Sequence, residues 1–158
     1  MPAARASAGL LLYRRRGGSL EVFLAHPGGP FFKNKDDGHW TIPKGEIDDH
    51  EEPLSTAIRE FREEIGIDLD PASKFIDLGS IRQKGGKVVH AWAVEGDCPA
   101  GHSVKSNSFQ MEWPPKSGKF QSFPEVDSAE FFGLETAKRK IKSTQIPFFE
   151  RLQTALLP

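Results

Sequence analysis

Residues 45–67 read GEIDDHEEPLSTAIREFREEIGI, and the rest of the chain takes its meaning from this stretch. Leu54, Ala57, Ile58, Phe61 and Ile65 recur at offsets of 3, 4, 7 and 11 residues from the first of them. That spacing draws one apolar stripe along a helix turning ~100° per residue. Pro53 suits a first turn, where its missing N–H leaves no bond unmade, and Gly66 suits the position just past a helix end. The pattern therefore predicts a helix over residues 52–66. With Glu60 at 0°, Glu63 falls near roughly −60° and Glu64 near roughly +40°, beside an apolar stripe at about +60° to +160°. Three carboxylates thus share one sector. Glu60 and Glu64 are like charges four residues apart, which costs a few tenths of a kcal/mol on an isolated helix. Arg59 and Arg62 relieve part of that repulsion, and Arg59 is spaced to pair with Glu63. Oxygen-only ligands of this kind suit a hard cation such as Mg2+ or Mn2+. A solvated acidic helix face is the ordinary alternative for an arbitrary acidic helix.

The residues around that helix favour the cation. The stretch fits G-x5-E-x7-R-E-U-x-E-E-x-G-U, with U a bulky apolar residue, at every fixed position: Gly45, Glu51, Arg59, Glu60, Glu63, Glu64 and Gly66, with Phe61 and Ile67 at the U sites. At ordinary residue frequencies a chance match is on the order of one in ten million, so coincidence is set aside. This is the Nudix box, and the sequence resembles a Nudix hydrolase. The resemblance implies a mixed α/β (α+β) domain over residues 1–158, its mixed β-sheet sandwiched between helices. It also implies a pyrophosphohydrolase that uses Mg2+ or Mn2+ and an attacking water. In such enzymes the positions of Glu60, Glu63 and Glu64 bind metal or activate water, Glu51 organises the site, and Arg59 holds a catalytic carboxylate. The Lys44 carbonyl and Gly45 lie on the loop closing over the metal. A further carboxylate commonly follows the later strands, and Glu125 is the candidate, ahead of Glu130.

Immediately upstream, residues 40–45 read WTIPKG. This W-x-x-P-K-G form is similar to Nudix enzymes acting on dinucleoside polyphosphates or diphosphoinositols. Lys44 would bring an ammonium donor beside a long phosphate chain. The preferred substrate class is accordingly dinucleoside polyphosphates such as diadenosine tetraphosphate. Hydrolysis of nucleoside triphosphates, oxidised ones included, or of diphosphoinositol polyphosphates is the enzymatic alternative, and a non-enzymatic sensor with the same fold is the rival of a different class. Lys44, Gly45, Trp40, Arg82 and Lys87 are candidate substrate contacts, with Lys84, Lys116 and Lys119 as further basic groups. Phe31, Phe32, Trp40 and Trp113 offer faces for a nucleobase.

Outside the box, residues 7–13 and 21–25 read as strands around the Gly17-Gly18 turn, residues 14–18 forming a charged turn. His26 and Pro27 are expected to open a long loop, and residues 40–43 to form a short strand. Residues 75–81 and 87–94 read as strands joined through Gly85-Gly86. Residues 98–119 are expected to be irregular, residues 126–132 a strand, and residues 134–141 and 148–157 helical. Tyr13 belongs to a core strand. His26, His39, His50, His90 and His102 lack close metal-binding spacing.

Composition narrows the classes. The chain has 158 residues with 21 Lys+Arg against 22 Asp+Glu, a formal charge of −1. That balance argues against a nucleic-acid polymer as partner, and no apolar run approaches the ~20 residues needed to span a bilayer. The single cysteine, Cys98, excludes an internal disulfide framework and fits a cytoplasmic setting. The expected partner is a small-molecule nucleotide or polyphosphate, bound by a monomer or homodimer. The charge is uneven. Residues 46–64 hold eight acids against two arginines, a net −6, leaving +5 for the remainder.

Overall fold

The computed structural model describes residues 6–98 and 104–158. Residues 1–5 of the amino-terminal stretch and His102 therefore lie outside the described residues. The elements run β1 (Ala6–Arg16), β2 (Ser19–Pro27), β3 (Lys44–Glu46), α1 (Pro53–Ile65), β4 (Phe75–Arg82), β5 (Val88–Glu95), β6 (Ser108–Glu112), β7 (Phe120–Pro124), β8 (Val126–Gly133), α2 (Leu134–Lys140) and α3 (Ile146–Ala155).

Six strands form one sheet, five of them in the order β4-β5-β1-β2-β8 and the sixth, β3, paired to the start of β1. The β1–β5 pair is parallel and the other pairs are antiparallel. The sheet is thus mixed, as expected. Gly17 and Gly18 close the β1–β2 hairpin with φ of 59° and 81°, the left-handed pair that a two-residue turn demands. The three arginines before this turn continue the strand, since Arg16 pairs with Ser19.

Both faces of the sheet are apolar because helices cover both. On one face Ala57, Phe61 and Ile65 of α1 pack against Leu10, Leu12, Phe23, Trp92 and Val94. Phe61 is fully buried, and truncating such a ring typically costs about 3–5 kcal/mol. On the other face Ala137 of α2 and Phe148, Phe149 and Leu152 of α3 meet Leu11, Val22, Leu24 and Val89. Arg151 donates to the carbonyls of Leu78 and Ser80, each at 2.9 Å, tying α3 to β4 where its register with β5 shifts.

Three expectations need correction. β2 runs on through His26 and Pro27, because His26 is held on both ring nitrogens, by Asp127 at 2.7 Å and the Lys35 carbonyl at 2.6 Å. The short strand before the box is β3 rather than residues 40–43; Trp40 and Thr41 make only isolated bridges. Residues 98–119 are not wholly irregular: β6 pairs with β7 in a separate hairpin, Phe109 opposite Phe123.

Candidate metal and phosphate site

The box helix begins at Pro53 and ends on Gly66, whose φ of 83° lets its N–H bond the Arg62 carbonyl. Its apolar stripe fixes its rotation against the sheet, and Glu60 of the acidic sector lies against Gly45 of β3. Arg59 organises that sector. Its Nε and second terminal nitrogen donate to the two oxygens of Glu51, both at 2.9 Å. The remaining terminal nitrogen donates to Glu60 at 3.0 Å and Glu63 at 3.1 Å. One guanidinium therefore locks three of the predicted carboxylates. Fork-like, charge-assisted bonds of this sort fix orientation as well as adding energy. Glu51 also accepts from the Thr56 hydroxyl at 2.7 Å. Arg59 and Thr56 together hold the Glu51 carboxyl well below its usual range, at about 2, and Glu51 in turn raises the Arg59 guanidinium.

Glu60 and Glu64 face the opposite electrostatic situation. Burial raises Glu60 above its ordinary value, against the pull of Arg59, with Glu63 and Glu125 adding to the rise. Glu64 is pushed up to about 8, first by burial and then by the charges of Glu60 and Glu125. A backbone hydrogen bond from Lys44 and the Lys44 ammonium partly oppose that shift. The loop between β7 and β8 is what brings Glu125 here. It is anchored on both sides, since the Glu125 N–H donates to the Asn107 carbonyl at 2.8 Å and Gly28 N–H donates to the Glu125 carbonyl at 2.9 Å.

Gly45 is dictated by the same cluster. A Cβ at this position would run into the Glu60 carboxylate, so only glycine lets β3 pass so close to the helix. Among the described residues, no three His, Cys, Asp or Glu side chains converge into a ready-made metal cage. The donor set nevertheless fits a divalent cation. Glu60, Glu64 and Glu125 are oxygen donors, and the charges of neighbouring carboxylates disfavour ionised Glu60 and Glu64, a penalty that a cation beside them would reverse. Mg2+ dehydrates reluctantly and is held by one or two carboxylates plus substrate phosphates, so an enclosing cage is not required.

The predicted substrate contacts divide. Lys44 lies beside Glu64 and also within electrostatic reach of Lys142 and Lys87; burial, then Lys142, lowers its ammonium. Lys87 lines a cavity of about 400 Å³ with Lys84 and Lys142. Arg82 is exposed at the end of β4 and does not line that cavity. Trp40 is a correction: it is only 6% exposed, donates its indole N–H to Asp36 at 2.8 Å, and meets Phe132 and His26 edge-on. Its ring is buried against these neighbours, which leaves little of it for a base. Lys142 went unnoticed in the sequence, since it sits 55 residues beyond Lys87 with no motif around it. Its burial lowers its ammonium, with Lys87 adding to the effect.

The NUDIX domain family model matches residues 3–152. The chain belongs to the NUDIX domain family. Among curated proteins, it is 39% identical over 61 residues to a bis(5'-nucleosyl)-tetraphosphatase [asymmetrical] of Caenorhabditis elegans, covering 39% of this chain and 40% of that protein. The corresponding protein of Rattus norvegicus is 41% identical over 64 residues, 36% of this chain and 42% of its own length. The matched stretch therefore spans about two-fifths of each relative. Among solved structures, a C. elegans Ap4A hydrolase binary complex superposes with a TM-score of 0.69 at 21% identity, covering 95% of this chain and 97% of that one. The NUDIX domain of Shewanella oneidensis NrtR complexed with ADP ribose gives 0.65 at 16% identity, covering 99% and 91%. At those identities the likeness establishes the NUDIX fold.

Proposed function

We propose that this chain is a divalent-metal-dependent pyrophosphohydrolase acting on nucleoside diphosphate-linked compounds, with dinucleoside polyphosphates such as diadenosine tetraphosphate as its substrate class. The observation that carries the reading is the array of Glu51, Glu60 and Glu63 on Arg59, with Gly45 leaving room for the Glu60 carboxylate and Glu64 in electrostatic reach of Glu60, Glu125 and Lys44. The names of the two tetraphosphatase relatives support the substrate class.

Glu60, Glu64 and Glu125, with the Lys44 carbonyl, would hold Mg2+ or Mn2+. When bound, the cation would offset phosphate charge and acidify a water. The chain's own residues do the rest. Arg59 fixes Glu51, Glu60 and Glu63 so that no carboxylate must reorganise as the reaction proceeds. Attack of a water on phosphorus breaks the P–O anhydride bond and releases a proton. That proton passes to a carboxylate of the cluster, and Glu60, next to Arg59 and Gly45, is the nearest named candidate. The Lys44 ammonium faces the charge that grows on the leaving phosphate. No helix among the described residues is long and apolar enough to cross a membrane, and a cytoplasmic setting, where such nucleotides occur, belongs to the same reading.

The test is a panel of dinucleoside polyphosphates, nucleoside triphosphates, nucleotide sugars and diphosphoinositols, with Mg2+ or Mn2+ and with products identified. Diadenosine tetraphosphate is expected to be cleaved fastest, and Glu63→Gln and Glu64→Gln to lose most activity. A large preference for triphosphates would overturn the substrate class. Undiminished turnover after complete chelation would overturn the metal mechanism.

A further inference from the structure

Glu125 is held by its backbone while its side chain is left open. Its N–H donates to the Asn107 carbonyl at 2.8 Å, and its own carbonyl accepts from the Gly28 N–H at 2.9 Å. A Cβ on Gly28 would run into the Pro124 carbonyl oxygen, so the two loops meet here at closest approach. The Glu125 carboxylate, by contrast, makes no hydrogen bond or ion pair among the described residues, and its charge reaches Glu60 and Glu64 on the box helix. A backbone pinned on both sides beneath an unpartnered carboxylate is what a ligand-binding group requires, since its neighbours supply the preorganisation.

Those neighbours include residues 105–107, which run from the end of α1 to the Glu125 loop. At one end the Lys105 N–H points to the Ile65 carbonyl at 3.4 Å, and a Cβ on Gly66 would stand 3.1 Å from Lys105 Cβ. At the other end lies the Asn107 carbonyl that receives the Glu125 N–H. Between them, Ser106 grips Val126, the residue that follows Glu125. Val126 stands opposite Pro27 where the register of β2 and β8 shifts, and proline has no N–H to donate. The Ser106 hydroxyl supplies a donor there. Its Oγ stands 3.1 Å from the Val126 carbonyl and accepts from the Val126 N–H at 3.2 Å. The Asn107 carbonyl is a second acceptor for the same hydroxyl at 3.0 Å. Val126 itself is buried in the core beneath α1. Residues 105–107 thus tie the end of the helix that carries Glu60 and Glu64 to the loop that carries Glu125.

We infer that Ser106 is a positioning residue of the metal site, its hydroxyl holding the Glu125 carboxylate for the divalent cation that Glu60 and Glu64 serve. The inference rests on the metal-dependent reading of this cluster, but it concerns the affinity of the protein for the cation rather than turnover. Removing the hydroxyl takes away no charge and no carboxylate oxygen, so a change in affinity passes through the placement of Glu125.

The experiment titrates substrate-free protein with Mn2+, reading free Mn2+ by electron paramagnetic resonance, with thermal melts alongside. Ser106→Ala is expected to weaken Mn2+ binding about tenfold, the lower end of what losing the support of a metal ligand costs, and Ser106→Thr, which keeps the hydroxyl, to stay within about twofold of wild type. In a Glu125→Gln background the same Ser106→Ala change should cost less than about twofold, because the group it positions is gone. Gln121→Ala removes a bond to the Trp113 carbonyl at the far end of the same hairpin and should leave Mn2+ affinity as it is. Ser106→Cys, similar in size but a weak hydrogen-bonding group, replaces the alanine variant if that one does not fold. Undiminished affinity in Ser106→Ala, or a loss of equal size with and without the Glu125 carboxylate, overturns the inference. So does a Glu125→Gln protein that binds Mn2+ like wild type. Failure of the hydrolase reading looks different: the panel of phosphoanhydrides is left intact while Mn2+ affinity still depends on Ser106 through Glu125.

Discussion

Gly45→Ala isolates the site from the fold. The added methyl would occupy the space of the Glu60 carboxylate. The backbone of β3 is pinned, because Gly45 pairs with Ala8 and Lys44 with Gly9, so the carboxylate is the group that yields. It must retreat roughly 1 Å to recover ordinary contact, which breaks its 3.0 Å bond from Arg59. Arg59 keeps both bonds to Glu51 and one to Glu63. The cost to stability is then about one charge-assisted bond, ~1–2 kcal/mol, or a Tm loss of about 2–8 °C for a domain of this size. The cost to chemistry is larger, since a 1 Å misplacement at a reacting centre costs about 10²-fold. Initial rates with diadenosine tetraphosphate across a Mg2+ series, beside thermal melts and Mg2+ titration of free protein, measure both. A useful contrast is Gly9→Ala, whose Cβ would meet the Pro43 carbonyl oxygen at 2.7 Å and Ile42 Cδ1 at 2.9 Å; there the loss falls on the melt. Should Gly45→Ala keep its rate within threefold and its Mg2+ affinity unchanged, Glu60 is not a metal-side ligand and the reasoning fails.

Other outcomes follow from the same geometry. Burial and the charges of Glu60 and Glu125 push the Glu64 carboxyl up to about 8 from its ordinary 4.5, so it weakens the metal-free protein as pH rises from about 4.5 to 8; Glu64→Gln should be more stable than wild type at pH 8 without metal, by on the order of a few kcal/mol, and should lose the gain that Mg2+ gives wild type. Glu51 is shifted the other way: its contribution is present above about 4.5 and lost as pH falls through about 2, so acid unfolding of Glu51→Gln, followed by circular dichroism, should be less steep in that window. Arg59→Lys keeps the charge but loses the fork, and is expected to lower kcat by about 10–100-fold with KM little changed. Gln145→Leu strands the Ile42 N–H and Gln83 and should cost about 2–4 kcal/mol by urea unfolding.

The box helix was legible in the sequence because three independent signals agreed. The apolar stripe, Pro53 at the start and Gly66 at the end all describe the same 13 residues that form α1. Helical spacing then paired Arg59 with Glu63, while the organising role of Glu51 and the grip of Arg59 on a catalytic carboxylate came from the resemblance; the structure joins Glu51, Glu60 and Glu63 on Arg59. The β6–β7 hairpin was hidden for the opposite reason. Phe109 and Phe123 alternate with Ser, Gln and Glu between Pro and Gly residues, too little apolar periodicity to distinguish a strand from a loop. Trp40 misled by its proximity to the box: adjacency along the chain does not reveal that its ring is turned onto Phe132. Lys142 could not be found at all, because its approach to Lys87 is made by Gln145, whose buried amide bonds join segments more than sixty residues apart.

Strand β8 reaches the sheet through β2, where Glu21 pairs with Gly133 and Phe23 with Phe131. Those partners are more than a hundred residues apart, and pairings of such separation form late and slowly. During synthesis the box helix emerges long before Glu125, so a nascent chain displays its acidic face while the opposing wall is still unmade. The order of translation thereby separates the making of the helix from the completion of the site around it, and a ribosome-bound fragment ending before β8 would carry the box without its opposing wall.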